Sequence, residues 1–282
     1  MKFTDWQIEG SRGEAIYGTT HDASVKPKGI VIMAHGFKGY KEYGMFPWIA
    51  TQFSNDGYIV HRFNFSHSGM LDGDGPFERS DLFEQATWNT QVEDLKILST
   101  AFAQDTLPLT LFGHSRGGAA SLLAVGRGEV DASRVIALSS PSQCISMSTA
   151  EQKFLLERGK IESPSGRTGQ MLYVGKAFLE EQLESPETHD LIALTSKIEA
   201  PCMIVHGEDD TTVPVSSAIE LADSIPTATL VKIEGGDHVF NTPNPFPIDG
   251  VPSPQLKAAW DAISTYRDNS SQTRARPFLN PM

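Results

Sequence analysis

A serine becomes a nucleophile when a base takes its proton and a carboxylate orients that base. The stretch LTLFGHSRGG, residues 109–118, offers such a serine. Leu109–Phe112 reads as a buried strand, Gly113-His114-Ser115-Arg116-Gly117 as a sharp turn, and Ala119, Ala120 and Ser121 as the start of a helix. A serine on a strand-to-helix turn takes a strained backbone conformation. Glycines two before and two after it remove side chains that would clash there. The Ser115 hydroxyl is thereby lifted above a sheet edge at the N-terminus of a helix. The helix end and the next N–H favour a developing negative charge at that place. G-x-S-x-G alone arises by composition in a glycine-rich chain, so the flanking strand and helix carry the inference.

On such turns the acid and then the base follow the serine along the chain. The apolar run Pro201–Val205 leads into HGEDDTTVP, residues 206–214. Asp209 and Asp210 both follow that strand end by a short turn, and spacing alone does not separate them. The next strand candidate, Thr229–Ile233, leads into EGGDH, which puts His238 on a glycine-bearing loop at the same edge. Seven other histidines compete. His35, His114 and His206 abut glycines at strand ends and read as packed or hydrogen-bonded scaffold. His67 is the main rival, since it lies on a loop after a strand, but it precedes Ser115. His21, His61 and His189 read as ordinary surface or strand residues. Acyl transfer also needs donors for the tetrahedral oxyanion. The backbone N–H of Arg116 is one. The strand Ile30–Ala34 ends in HGFKG, where the Phe37 N–H is the second. Only the N–H of Arg116 is assigned a role; its side chain reads as structural or solvated.

The elements that must hold these residues alternate along the chain. Strand candidates fall at Ile30–Ala34, Tyr58–Phe63, Leu109–Phe112, Val135–Leu138, Met203–Val205 and Thr229–Ile233. Most lack polar–apolar alternation, as strands covered on both faces do. Helix candidates lie at Phe46–Ser54, Glu84–Ala103, Gly117–Val125, Ser216–Ser224 and Gln255–Arg267. Strands spaced by helices predict a mostly parallel sheet with right-handed crossovers. Phe3–Ile8 and Ala15–Thr20 alternate better and predict an antiparallel edge. From about 140 to 196 the strand signal is weak. Two amphipathic pieces, Thr149–Arg158 and Gln170–Leu183, flank a turn-rich linker at Ser163–Gly169. This segment reads as a helical insertion over one end of the sheet, within a single domain spanning 1–282. After Asp268 the chain reads as an extended tail, lying on the surface or contacting a neighbour such as the second copy of a homodimer.

Bulk properties narrow the partners. The chain has 282 residues, 39% hydrophobic and 21% charged, enough for one large α/β domain with a continuous core. A net charge of −12 repels nucleic acid phosphates and anionic membranes. Two distant cysteines, Cys144 and Cys202, make neither a disulfide framework nor a zinc spacing, and Cys202 reads as a small buried hydrophobe. A reducing cytoplasm is the simplest setting. MKFTDWQIEG shows no signal-peptide pattern and no run approaches a membrane span.

Taken together these motifs resemble the α/β-hydrolase family over about residues 25 to 268. HGFKG at 35–39 is similar to its oxyanion loop, GHSRGG at 113–118 to its nucleophile turn, HGEDDTTVP to H-G-x-x-D-x-x-V-P, and GGDHVF at 235–240 to its histidine loop. RFNFSHSG at 62–69 resembles R-x-D-x-x-G-x-G-x-S, with Asn64 in place of an aspartate and His67-Ser68 in place of a G-H pair. The resemblance implies a mostly parallel eight-stranded sheet flanked by helices, with a small helical cap. It selects Asp210 as the acid, giving Ser115, Asp210 and His238 as the triad. The nearest groups are small-cap carboxylesterases of the cinnamoyl and feruloyl esterase kind, with dienelactone-hydrolase and serine-aminopeptidase-like groups beside them. The expectation is hydrolysis of small or aromatic acyl esters without metal or cofactor. Thioesterase, lactonase, peptidase or C–C bond hydrolase activity is the alternative on the same triad, and a non-catalytic ligand-binding protein is the alternative outside it. Met147, Met171, Tyr173 and Phe240, with Phe37 and Phe178, are candidates for an apolar substrate pocket.

Overall fold

In the computed structural model the described residues are 2–272. Strand β1 (Phe3–Glu9) pairs antiparallel with β2 (Ala15–His21). There follow β3 (Gly29–Ala34), α1 (Phe46–Asn55), β4 (Tyr58–Asn64), α2 (Ser80–Glu84), α3 (Trp88–Phe102), β5 (Leu109–His114), α4 (Arg116–Gly126) and β6 (Arg134–Leu138). Next come α5 (Thr149–Arg158), β7 (Lys160–Pro164), β8 (Met171–Gly175), α6 (Ala177–Glu184) and α7 (Leu191–Thr195). The chain then returns to the sheet with β9 (Cys202–Gly207), α8 (Val215–Ser224), β10 (Ala228–Ile233) and α9 (Pro254–Gln272). Eight strands form one sheet in the order β1-β2-β4-β3-β5-β6-β9-β10. Every pairing from β4 to β10 is parallel, and the expected antiparallel edge is β1 and β2.

The central strands are buried on both sides because successive side chains leave opposite faces. Ile32, Ala34, Leu111, Val135, Ala137 and Ile204 pack under Leu95 and Leu98 of α3, Leu122 and Leu123 of α4, and Leu221 of α8. Val31, Met33, Phe112, Ile136, Leu138 and Val205 face the other way, against Phe46, Ile49 and Phe53 of α1 and Leu256 and Ile263 of α9. Cys202 is buried in the first of these layers, as its apolar neighbours predict.

Three expectations about the elements are corrected. The helix read over 84–103 begins only at Trp88, because Thr87 caps α3 through a reciprocal pair with Thr90, and Glu84 ends the separate short helix α2. The segment 140–196 is not purely helical. Its second amphipathic piece begins as strand β8, paired antiparallel with β7, and becomes helix only at Ala177. The helix read to Arg267 continues to Gln272, so the tail read from 269 starts as helix; residues 273–282 lie outside the described residues. Among the described residues no helix is long and apolar enough to cross a membrane.

One buried polar hub ties the antiparallel edge to the sheet. Asp94 on α3 accepts the backbone N–H of Ser11 and of Ser66, each at 2.8 Å, and the Ser66 hydroxyl at 2.8 Å. His67 Nδ1 lies 2.8 Å from that hydroxyl. Burial pushes the Asp94 carboxyl up to about 6, against partial compensation from these donors. Removing the carboxyl strands two buried N–H groups, so Asp94→Ala should lower denaturant stability at pH 4 by about 3 kcal/mol. The unfolded carboxyl ionises near 3.8 and the folded one near 6. The native state therefore holds its proton longer, and the wild-type advantage should shrink as pH rises from about 4 to about 6. Paired urea titrations across that range check both statements. An advantage that grows with pH would contradict them.

Candidate active site

Three loops converge at the C-terminal edge of the parallel strands, where open α/β sheets bind ligands. Ser115 joins β5 to α4 at φ 54° and ψ −125°. Its N–H donates to the Leu138 carbonyl at 2.7 Å, which pins the turn to the end of β6. A Cβ at Gly117 would lie 2.5 Å from the His35 carbonyl oxygen, so only glycine lets α4 start this close to β3.

The candidate acid and base come from the ends of β9 and β10. Asp210 is fully buried, and Asp209 beside it is exposed, which separates the two candidates. His238 Nδ1 donates to Asp210 Oδ2 at 2.7 Å, which leaves Nε2 of the neutral ring as the acceptor. Asp210 Oδ1 accepts the N–H groups of Thr212 and Val213 at 2.8 and 2.9 Å. Burial pushes the Asp210 carboxyl up, but the hydrogen bonds from His206, His238 and Val213 outweigh it and hold the group well below the usual carboxylate range. Asp210 thus stays ionised and orients the imidazole.

Two histidines read as hydrogen-bonded scaffold contact His238 and Asp210 directly. His114 Nε2 donates to the His238 carbonyl at 2.8 Å, fixing the backbone of the base. His206 Nε2 lies 3.2 Å from Asp210 Oδ2 and 2.8 Å from the Val213 carbonyl. Both lie immediately at strand ends, next to glycine, and that position was the available signal. The rival His67 is buried in the Asp94 hub instead, with its pKa lowered to about 4, chiefly by burial.

The loop after β3 carries Phe37 against the turn. A Cβ at Gly36 would come within 3.0 Å of the Ser115 Cβ. His35 donates from Nδ1 to the Gly36 carbonyl at 2.9 Å and accepts the Phe65 N–H at Nε2, so the loop is braced by a neutral ring. Among the described residues neither the Phe37 nor the Arg116 N–H has a hydrogen-bond partner. Both remain available as donors. The Arg116 side chain is not solvated. It is buried, donates to Gln91 Oε1 at 2.9 Å, and lies against Trp88 and Phe178 at 4.8 and 4.6 Å. Burial lowers its pKa to about 10.

A cleft of about 220 Å³ opens on Ser115 and His238, bordered by Phe37, Lys38, Tyr43, Ser165 and Arg167. The turn read as a linker at 163–169 is the tip of the β7–β8 hairpin and forms one wall. Of the six residues expected to line a pocket, Phe37 borders this cleft and the other five do not. Phe240 turns into the core, Met147 packs against the other core layer, Met171 is largely exposed, and the Tyr173 ring lies under Lys160. Phe178 meets Arg116 and Trp88 instead. Among the described residues no group of three or more His, Cys, Asp or Glu is placed to hold a metal ion.

Known proteins share this arrangement of elements. Residues 25–162 match the family model of serine aminopeptidases, S33. The structure of Est1E from Butyrivibrio proteoclasticus with bound ferulic acid superposes with a TM-score of 0.71 at 17% identity, covering 95% of this chain and all of that one. Alpha/beta hydrolase domain-containing protein 10 from mouse gives 0.69 at 19% identity, covering 95% and 99%. These superpositions show that the chain has the α/β-hydrolase fold. A curated relative, RutD of Pseudomonas syringae pv. syringae, provisionally named a carbamate hydrolase, is 36% identical over 66 residues, or 23% of this chain. That match spans about a quarter of the relative's own length, 26%.

Within the α/β-hydrolase fold the serine turn is held by close backbone approach. Gly117→Ala should therefore destabilise the chain by about 2 kcal/mol, because the new methyl meets a carbonyl that cannot move aside. Chemical denaturation measures this, and an unchanged midpoint would contradict the packing described.

Proposed function

We propose that the chain is a serine hydrolase that cleaves carboxylic esters through an acyl-Ser115 intermediate. The 2.7 Å bond from His238 to buried Asp210, beside the cleft that holds Ser115, carries this reading. Ser115 Oγ attacks the ester carbonyl and His238 Nε2 takes its proton. Asp210 balances the imidazolium that forms. The N–H groups of Phe37 and Arg116 receive the oxyanion. His238 returns the proton to the leaving alcohol, then takes one from water, and the hydroxide so formed releases the acid and restores Ser115. The cleft of about 220 Å³ favours a small acyl group, below the usual volume of a drug-sized site. Esterase neighbours and a relative named for carbamate hydrolysis support carbonyl chemistry of this kind.

A panel of matched esters, thioesters, amides and carbamates should show short esters turned over best. Ser115→Ala should abolish turnover with the circular dichroism unchanged. Asp210→Asn should lower kcat by roughly 10³–10⁴, since the imidazole loses its orienting charge and its tautomer. Ester turnover retained by Ser115→Ala would contradict the assignment.

A further inference from the structure

Two cations border the cleft without a carboxylate to neutralise either. Lys38 directly follows Phe37, and Arg167 sits at the hairpin tip. Lys38 Nζ donates to the Pro164 carbonyl at 2.7 Å, which uses one of its three protons. Arg167 Nη1 donates to the carbonyls of Asp74 and Gly75, both at 2.7 Å, and its Nη2 meets Met70 Sδ at 3.4 Å. Its Nε is buried without a hydrogen-bond partner. Among the described residues no ion pair involves Lys38 or Arg167. The chain carries a net charge of −12, so unpaired cations are against its general trend. Glu42 pairs with Lys41 and Arg62, Asp72 pairs with Lys41, Asp237 accepts the N–H groups of Val239 and Asn241, and Asp74 meets Arg167 through its backbone carbonyl and not in an ion pair. Burial lowers the pKa of Lys38 from its usual value.

A partly desolvated charge with no counter-ion is a standing cost that an anionic ligand removes. We infer that the site takes ester substrates bearing a second, free carboxylate, which Lys38 and Arg167 bind while Ser115 attacks the ester carbonyl. The inference rests on Ser115 being the nucleophile. Arg167 supplies planar, directional donors and Lys38 a point charge, a pair suited to one carboxylate. The small cleft limits the substrate to a short diacid monoester or one of similar size.

Methanol release from monomethyl succinate and from methyl butyrate compares the two charges on acyl chains of equal length. Calorimetry with succinate measures anion binding apart from turnover. The wild type should prefer monomethyl succinate in kcat/KM by at least about tenfold. That preference should fall roughly tenfold in Lys38→Met and in Arg167→Met, and Arg167→Lys should restore part of it. Succinate should bind the wild type and not the Met variants. No preference in the wild type, or an unchanged preference in both Met variants, overturns the inference and leaves the hydrolase reading standing. If neither ester is turned over while succinate binds the wild type alone, the hydrolase reading falls and the anion site stands. Loss of both overturns both.

Discussion

The turn at Ser115 can form only where neighbouring backbones approach more closely than side chains permit. A serine at φ 54° lies outside the regions ordinary residues favour, at a cost on the order of 1–3 kcal/mol. The surroundings compensate. The Leu138 carbonyl takes its N–H, and α4 begins at glycines pressed against the ends of β3 and β5. This closeness fixes the order of the central strands, since β3, β5 and β6 must end together for the turn to be held. The loop after β3 that carries Phe37 then falls beside the serine without further device. The helix that starts at Arg116 presents an unused N–H to the same point.

The proposed acid and base depend on the same edge. Both follow parallel strands on the far side of β6, so their loops open in the direction of Ser115. Asp210 is buried among donors and His238 is partly exposed, at 19% for its side chain. The carboxylate is thereby kept charged and fixed, while the imidazole keeps access to the cleft. His114 links the two halves, since it sits one residue before Ser115 and holds the backbone of His238.

Much of this was legible from residue types because each element ends in its own chemistry. The sheet core announces itself through unbroken apolar runs such as Ile30–Ala34, and glycines mark the strand ends that carry Ser115 and His238. The choice between Asp209 and Asp210 was not legible from spacing, because it depends on which carboxylate the β9 turn buries. The hairpin β7–β8 escaped notice because β7 is short, polar and half exposed, while β8 is an apolar run of five residues, with Leu172 and Val174 buried, that leads almost directly into α6 and so reads as part of one amphipathic piece. The cleft walls escaped for a different reason. Tyr43, Ser165 and Arg167 are distant in sequence from Ser115 and are gathered only by tertiary packing. Phe240 misled by its closeness to His238, since at φ 55° the chain turns its ring inward to the core.

The central claim is that Ser115 is an activated nucleophile and His238 its base. A fluorophosphonate probe that reacts only with activated serines, followed by peptide mass spectrometry, tests it most directly. A single adduct on the peptide containing Ser115 is expected, formed rapidly in the wild type and slowed by orders of magnitude in His238→Ala. An unlabelled Ser115 in the folded wild type, or labelling that does not depend on His238, would contradict it.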